Sequence, residues 1–123
     1  MLVPVGSLRR EGDLGIGDTA ALRELVDWAA DCRLGMLQLL PINETGGDHS
    51  PYNAISSVAM EPALLDLSAL PELNPDDFAQ ARAGVDPAVF TDKLVDYDTV
   101  KALKRGLLET AFDRFQESSQ DDE

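Results

Sequence analysis

An α/β fold is predicted, opening with a βαβ unit and continuing into a mainly helical segment. Three observations carry this. Leu2–Val5 and Met36–Leu40 are short apolar runs, the second stopped by Pro41, and runs of that length read as buried parallel strands. Between them Leu22, Leu25, Val26 and Ala29 recur at i, i+3, i+4 and i+7, one apolar face of a helix. Beyond residue 62 the signals are helix starts and helical stripes.

Each element has a local cause. Gly6–Asp18 is a loop with Gly12, Gly15 and Gly17, and Asp18 is placed to cap the helix that runs to Ala30 by accepting from its free backbone N–H groups. Arg23, Glu24, Asp27 and Asp31 form that helix's polar face. The crossover from the first strand to the second is expected to be right-handed. Residues 41–57, rich in Gly, Asn, Asp, Ser and Pro, form a polar loop. Val58–Leu67 is apolar but holds Pro62, which fits an irregular or edge segment. Asn74-Pro75-Asp76-Asp77 is a helix start, and Gly84 and Pro87 close the helix. Asp96 or Asp98 opens a longer helix in which Val100, Leu103, Leu107, Leu108, Ala111, Phe112 and Phe115 form the inner stripe. Lys101, Lys104 and Arg105 are expected outside it. Gln116–Glu123 is expected to be a frayed acidic tail. Two units result: 1–62, strand and helix alternating, and 63–123, helical.

A chain of 123 residues suffices for one ordinary domain, burying roughly two-thirds of its unfolded surface. Its net charge is −13, from 10 basic and 23 acidic side chains, and both units are acidic. Such a field opposes binding to a nucleic-acid backbone or an anionic membrane surface, and leaves neutral ligands unpenalised. Cys32 is alone, so there is neither a disulfide framework nor a thiolate metal cluster. No apolar run approaches the ~18 residues of a membrane span, and the start lacks the basic residues and apolar core of a leader. A cytoplasmic protein is expected.

Three motifs invite chemistry. Gly12-Asp13-Leu14-Gly15-Ile16-Gly17-Asp18 resembles a phosphate loop only superficially. The Walker Lys and the third glycine of the dinucleotide fingerprint are missing, and Asp13 and Asp18 would repel phosphate. A tight loop entering a helix is the better reading. His49, between Asp48 and Ser50, has no second His or Cys to complete a transition-metal site, and neighbours in sequence rarely oppose each other as a catalytic pair. It is expected to be a solvated loop histidine. In Ser50-Pro51-Tyr52, Pro51 fixes its own φ and biases Ser50 away from helix, so both flanking side chains are held with little freedom. The Tyr52 ring, flat and apolar with a hydroxyl at its tip, suits a sugar face. Tyr52 as simple packing stands as the competing assignment.

Several segments in order carry a resemblance: Ser7-Leu8, Gly15-Ile16-Gly17-Asp18, Val26-Asp27-Trp28-Ala29-Ala30, Gln38-Leu39-Leu40-Pro41-Ile42-Asn43-Glu44-Thr45, Ser50-Pro51-Tyr52-Asn53-Ala54-Ile55-Ser56-Ser57, and Asp96-Tyr97-Asp98-Thr99-Val100-Lys101-Ala102-Leu103-Lys104. Together they resemble the N-terminal part of the 4-α-glucanotransferases (amylomaltase, or disproportionating enzyme) of glycoside hydrolase family 77. The resemblance implies the first two β/α units of a (β/α)₈ TIM barrel over residues 1–62 and a helical insertion over 63–123. Both predicted loops would then lie on the catalytic face. It further implies transfer of α-1,4-glucan segments between maltodextrins with retention, and no metal or organic cofactor. Tyr52 and Ser50 would line the sugar-binding rim. The family's catalytic carboxylates lie in later strands, so no catalytic residue is expected within 1–123. The chain alone is expected to be inactive, a fragment whose parent supplies the remainder of the barrel. The alternative is a small non-catalytic protein, derived from such an enzyme, that binds glucan or another partner. Two positions depart from the family pattern: Leu37, where Trp is frequent, and Arg33, where Gly is frequent.

Overall fold

The computed structural model describes residues 1–120. Its strands are β1 (Leu2–Val3) and β2 (Gln38–Leu39), and its α-helices are α1 (Thr19–Asp31), α2 (Pro75–Ala83), α3 (Ala88–Thr91) and α4 (Tyr97–Gln120). The strands pair in parallel, with Leu2 opposite Gln38 and Val3 opposite Leu39. A small mixed α/β domain results, as the hydropathy pattern indicates, but the strands are shorter and less buried than their apolar runs suggest. Met36 is 77% exposed, Leu2 is exposed, and Val5 has left the strand for a 3-10 turn. Among the described residues the two strands pair only with each other, so neither is flanked on both sides as a buried parallel strand must be.

The helix starts follow their caps. Asp18 accepts from the N–H groups of Ala20 and Ala21 at 3.1 and 3.0 Å, and Asn74 accepts from those of Asp76 and Asp77. Asp77 reaches back to the Asn74 N–H at 2.8 Å, completing a capping box. Asp96, rather than Asp98, caps α4 through Thr99. At the end of α1, Leu34 N–H donates to the Ala29 carbonyl and Arg33 N–H to that of Ala30, both at 2.9 Å. These two bonds make a Schellman motif, which turns on a left-handed residue. Arg33 occupies that position, with φ of 57°.

The core lies where the Gly6–Asp18 loop, the 3-10 turn Pro62–Leu64 and α4 meet. One cluster joins Val5, Ile16, Ala63, Leu64, Val89 and Val100, and a second joins Leu14, Leu67, Leu103 and Leu107. Gly17 sits at the tightest point: a Cβ there would lie 2.2 Å from the Val5 carbonyl oxygen and 2.6 Å from the Leu8 nitrogen.

Four expectations for the helices are corrected. Lys104, expected outside, is 1% exposed, because it follows Val100 by four residues and precedes Leu107 by three, on the inner face. Its ammonium donates to the Ala63 and Leu65 carbonyls, each at 2.7 Å. Phe112 and Phe115, expected inside, are exposed, since nothing among the described residues packs over that side of α4. Val26 of the α1 stripe is likewise exposed. The helix also runs on through Gln116–Gln120, where a frayed tail was expected, and the rest of that tail (121–123) lies outside the described residues.

Candidate functional site

Residues 41–57 leave the C-terminal end of β2, beside the chain leaving β1. Their stem is ladder-like: Asn43 bridges Met60 and Thr45 bridges Ala54, both antiparallel. Glu61 locks the base. Its buried carboxylate accepts from the Thr45 N–H at 3.1 Å and the Thr45 hydroxyl at 3.0 Å, and pairs with the Lys101 ammonium of α4 at 2.9 Å. Burial opposes ionisation of Glu61. The bonds from Lys101, from both Thr45 donors and from the Ala63 N–H outweigh it and hold the carboxyl below its ordinary value.

The loop tip is organised by short-range bonds. Asp48 accepts from the Asn53 amide at 2.7 Å and from the Ser50 N–H at 3.3 Å. The bond from Asn53 and then that from Ser50 hold the Asp48 carboxyl below its usual value. Ser50 Oγ accepts from the Tyr52 N–H at 3.4 Å, so the two predicted site residues are brought together by this turn. Tyr52 is 74% exposed and Ser50 is half-buried. Tyr52 therefore contributes nothing to the core clusters of this chain.

His49 is not the solvated residue expected. Its ring stacks on Tyr97 with centroids 5.0 Å apart and planes inclined by 12°, and its Nε2 lies 3.2 Å from Asp98 Oδ1. Two hollows adjoin it. A recess of about 60 Å³ opens at the strand ends between Pro4, Leu40, Pro51 and Tyr97, and a groove of about 390 Å³ runs between the loop and α4, past Glu44, Lys101, Arg105 and Leu108.

A second polar cluster holds the other loop. Asp13 takes two bonds from the Arg9 guanidinium at 2.7 and 2.9 Å, and the Arg10 and Gly15 N–H groups also donate to it. Burial alone would raise its pKa, but these bonds together lower it. These bonds fasten the glycine-rich stretch to the core as a loop. Among the described residues, no group of three or more His, Cys, Asp or Glu side chains is arranged to hold a metal ion. Nor is any helix there long and apolar enough to cross a membrane.

A parallel βαβ unit that presents a stiff polar loop at its strand C-termini is the ligand-meeting end of an α/β protein. The chain belongs to the 4-alpha-glucanotransferase family, glycoside hydrolase family 77, whose model matches residues 3–123. It is 39% identical over 103 residues to a 4-alpha-glucanotransferase of Chlamydia trachomatis, covering 84% of this chain and 20% of that protein. Over 119 residues it is 35% identical to a 4-alpha-glucanotransferase of rice (Oryza sativa subsp. japonica), covering 89% of this chain and 12% of the other. The Synechocystis enzyme of the same name is 36% identical over 107 residues, with 85% and 19% covered. The chain thus spans about a fifth or less of the length of these relatives.

Glu61, its pairing with Lys101 and the packing of His49 against Tyr97 escaped the sequence reading. Glu61 before Pro62 does carry a cap signature, and its side chain accepts from the Ala63 N–H. Its partner on α4 leaves no local signal.

Proposed function

We propose that this chain forms the opening of a retaining α-1,4-glucan transferase, acting on maltodextrins in the cytoplasm, with no cofactor. β1, α1 and β2 would be the first elements of a (β/α)₈ barrel, and residues 63–123 a helical insertion beside it. The observation that carries this reading is the loop 41–57 within the family match: it leaves a parallel strand at its C-terminal end and holds the Tyr52 ring out to solvent above Ser50. The exposed apolar side chains of Leu2, Val26, Trp28 and Met36 support it too, because further strands and helices would cover them.

In this reading Tyr52 offers its face to a glucose ring and Ser50 its hydroxyl, so that they orient the donor glucan. Retention requires a carboxylate nucleophile and a carboxylic acid/base roughly 5–5.5 Å apart. Both come from outside residues 1–123, and no acid of this chain takes either role. Asp13, Asp18, Glu61 and Asp77 are each committed to bonds that hold the fold.

The test exchanges segments. This chain replaces the matching stretch of the Chlamydia trachomatis protein, and the chimera is incubated with maltotriose. Glucose and longer dextrins are expected from the chimera, and unchanged maltotriose from the 123-residue chain alone. Redistribution by the isolated chain would refute the assignment of catalysis elsewhere. Saturable, tight binding of maltoheptaose by the isolated chain would favour a stand-alone binding protein instead.

A further inference from the structure

We infer that His49 is a positioning residue for the Ser50-Pro51-Tyr52 rim, clamping it to the first turn of α4; this rests on the sugar-rim reading above. Tyr52 and Ser50 are tethered only locally. Ser50 and Asp48 accept from residues within the same turn, Asn53 donates to Asp48, and the Asn53 N–H donates to the Ser50 carbonyl. Among the described hydrogen bonds and ion pairs, His49 alone carries a side-chain contact from residues 46–53 to another element.

That contact is built rather than incidental. His49 adopts φ of 53°, a left-handed conformation that few residues other than glycine take up. Its N–H donates to the Gly46 carbonyl at 3.2 Å, and the turn so formed swings the ring inward while Tyr52 points out. The ring then meets α4 twice, face to face with Tyr97 and edge-on to Asp98. Its side chain is 21% exposed, and Nδ1 is buried without a hydrogen-bond partner. Pro51, one residue from Ser50, lines the same recess. A ring fixed this firmly, immediately before the rim, sets where Ser50 and Tyr52 stand. It also gives α4 a purpose: one helix holds the loop at its tip through Tyr97 and Asp98, and at its base through Lys101.

Two measurements separate this clamp from the rim reading. In the 123-residue chain, amide ¹⁵N relaxation reports order at residues 50, 52 and 53. His49→Gly keeps the left-handed backbone and removes the ring, Tyr97→Leu removes its stacking partner, and Tyr97→Phe keeps the stack as a control. Order at those amides is expected to fall in the first two variants and not the third, with α1 and α4 amides unchanged. The double variant is expected to be no looser than either single one, the mark of one shared contact. In the chimera, His49→Gly should lower kcat/KM about fivefold or more, and His49→Asn should not restore it, since Asn tolerates the backbone but lacks the ring. Unchanged loop order, additive effects, or full rescue by Asn would overturn the clamp. Loosened order with unaltered kcat/KM would instead leave the clamp standing and refute the rim.

Discussion

Lys104 should make this protein more stable as the solution turns alkaline, opposite to the usual trend. Burial is the main cause that lowers its pKa, from 10.5 to about 8; Asp18, Asp66 and Asp13 oppose the fall, and Arg10 adds to it. At about 1.4 kcal/mol for each tenfold change in acidity, that fall corresponds to roughly 3 kcal/mol. Below pH 8 the amine is charged folded and unfolded, and the whole cost stands. Between 8 and 10.5 the unfolded chain keeps a proton that the folded chain has released, so stability rises with pH. The neutral amine still has two hydrogens for the Ala63 and Leu65 carbonyls, so those bonds survive. Urea unfolding of wild type and Lys104→Met, at about pH 7 and about pH 10.5, isolates the effect, because every other titrating group is common to both. The stability difference, wild type minus variant, should grow by roughly 3 kcal/mol toward alkaline pH. A difference that stays flat, or shrinks, would refute the buried, charged Lys104.

Further outcomes follow from the backbone and the loop stem. Arg33→Gly should raise stability by about 1 kcal/mol in thermal or urea unfolding, since it relieves a left-handed arginine within an intact Schellman motif. Gly17→Ala should cost about 3 kcal/mol or more, because its Cβ would collide with backbone atoms that cannot rotate away. Gly106→Ala, on the same scale, should stabilise by about 1 kcal/mol, a Cβ there meeting nothing within 4 Å. Glu61 has a lowered folded pKa, so its contribution is present above the ordinary value of 4.5 and is lost as pH falls through the folded one. The pH dependence of unfolding should therefore weaken on the acid side in Glu61→Gln.

What the sequence made legible was mostly short-range. Asp18, Asn74 and Gly84 mark helix ends because a cap acts on N–H or carbonyl groups only a few residues away. The α/β character and the position of the polar loop follow from apolar runs and their breakers. Lys104 shows where such reading stops: its charge argued for solvent and it was expected outside, although its spacing from Val100 and Leu107 sets it on the inner face. The carbonyls and carboxylates that accommodate it come from other segments of the chain. His49 was misjudged for the same reason, since Tyr97 and Asp98 reach it only through the tertiary fold. Phe112 and Phe115 fit the helical period yet stand exposed, because a periodic stripe states what can be buried and not whether anything covers it. Ser50 and Tyr52 stand in one motif, and their juxtaposition is a local turn.

The central claim is that Tyr52 serves a sugar and not the fold, and one paired measurement on Tyr52→Ala in the chimera tests it. A ring contact realised partly in the transition state should, when lost, lower kcat/KM for maltodextrin transfer. The expected loss is about tenfold or more, equivalent to about 1.4 kcal/mol. The melting temperature, taken on the same preparation, should be nearly unchanged, as Tyr52 is 74% exposed. A variant with a lowered melting temperature and full kcat/KM per folded molecule would contradict the account and return Tyr52 to packing.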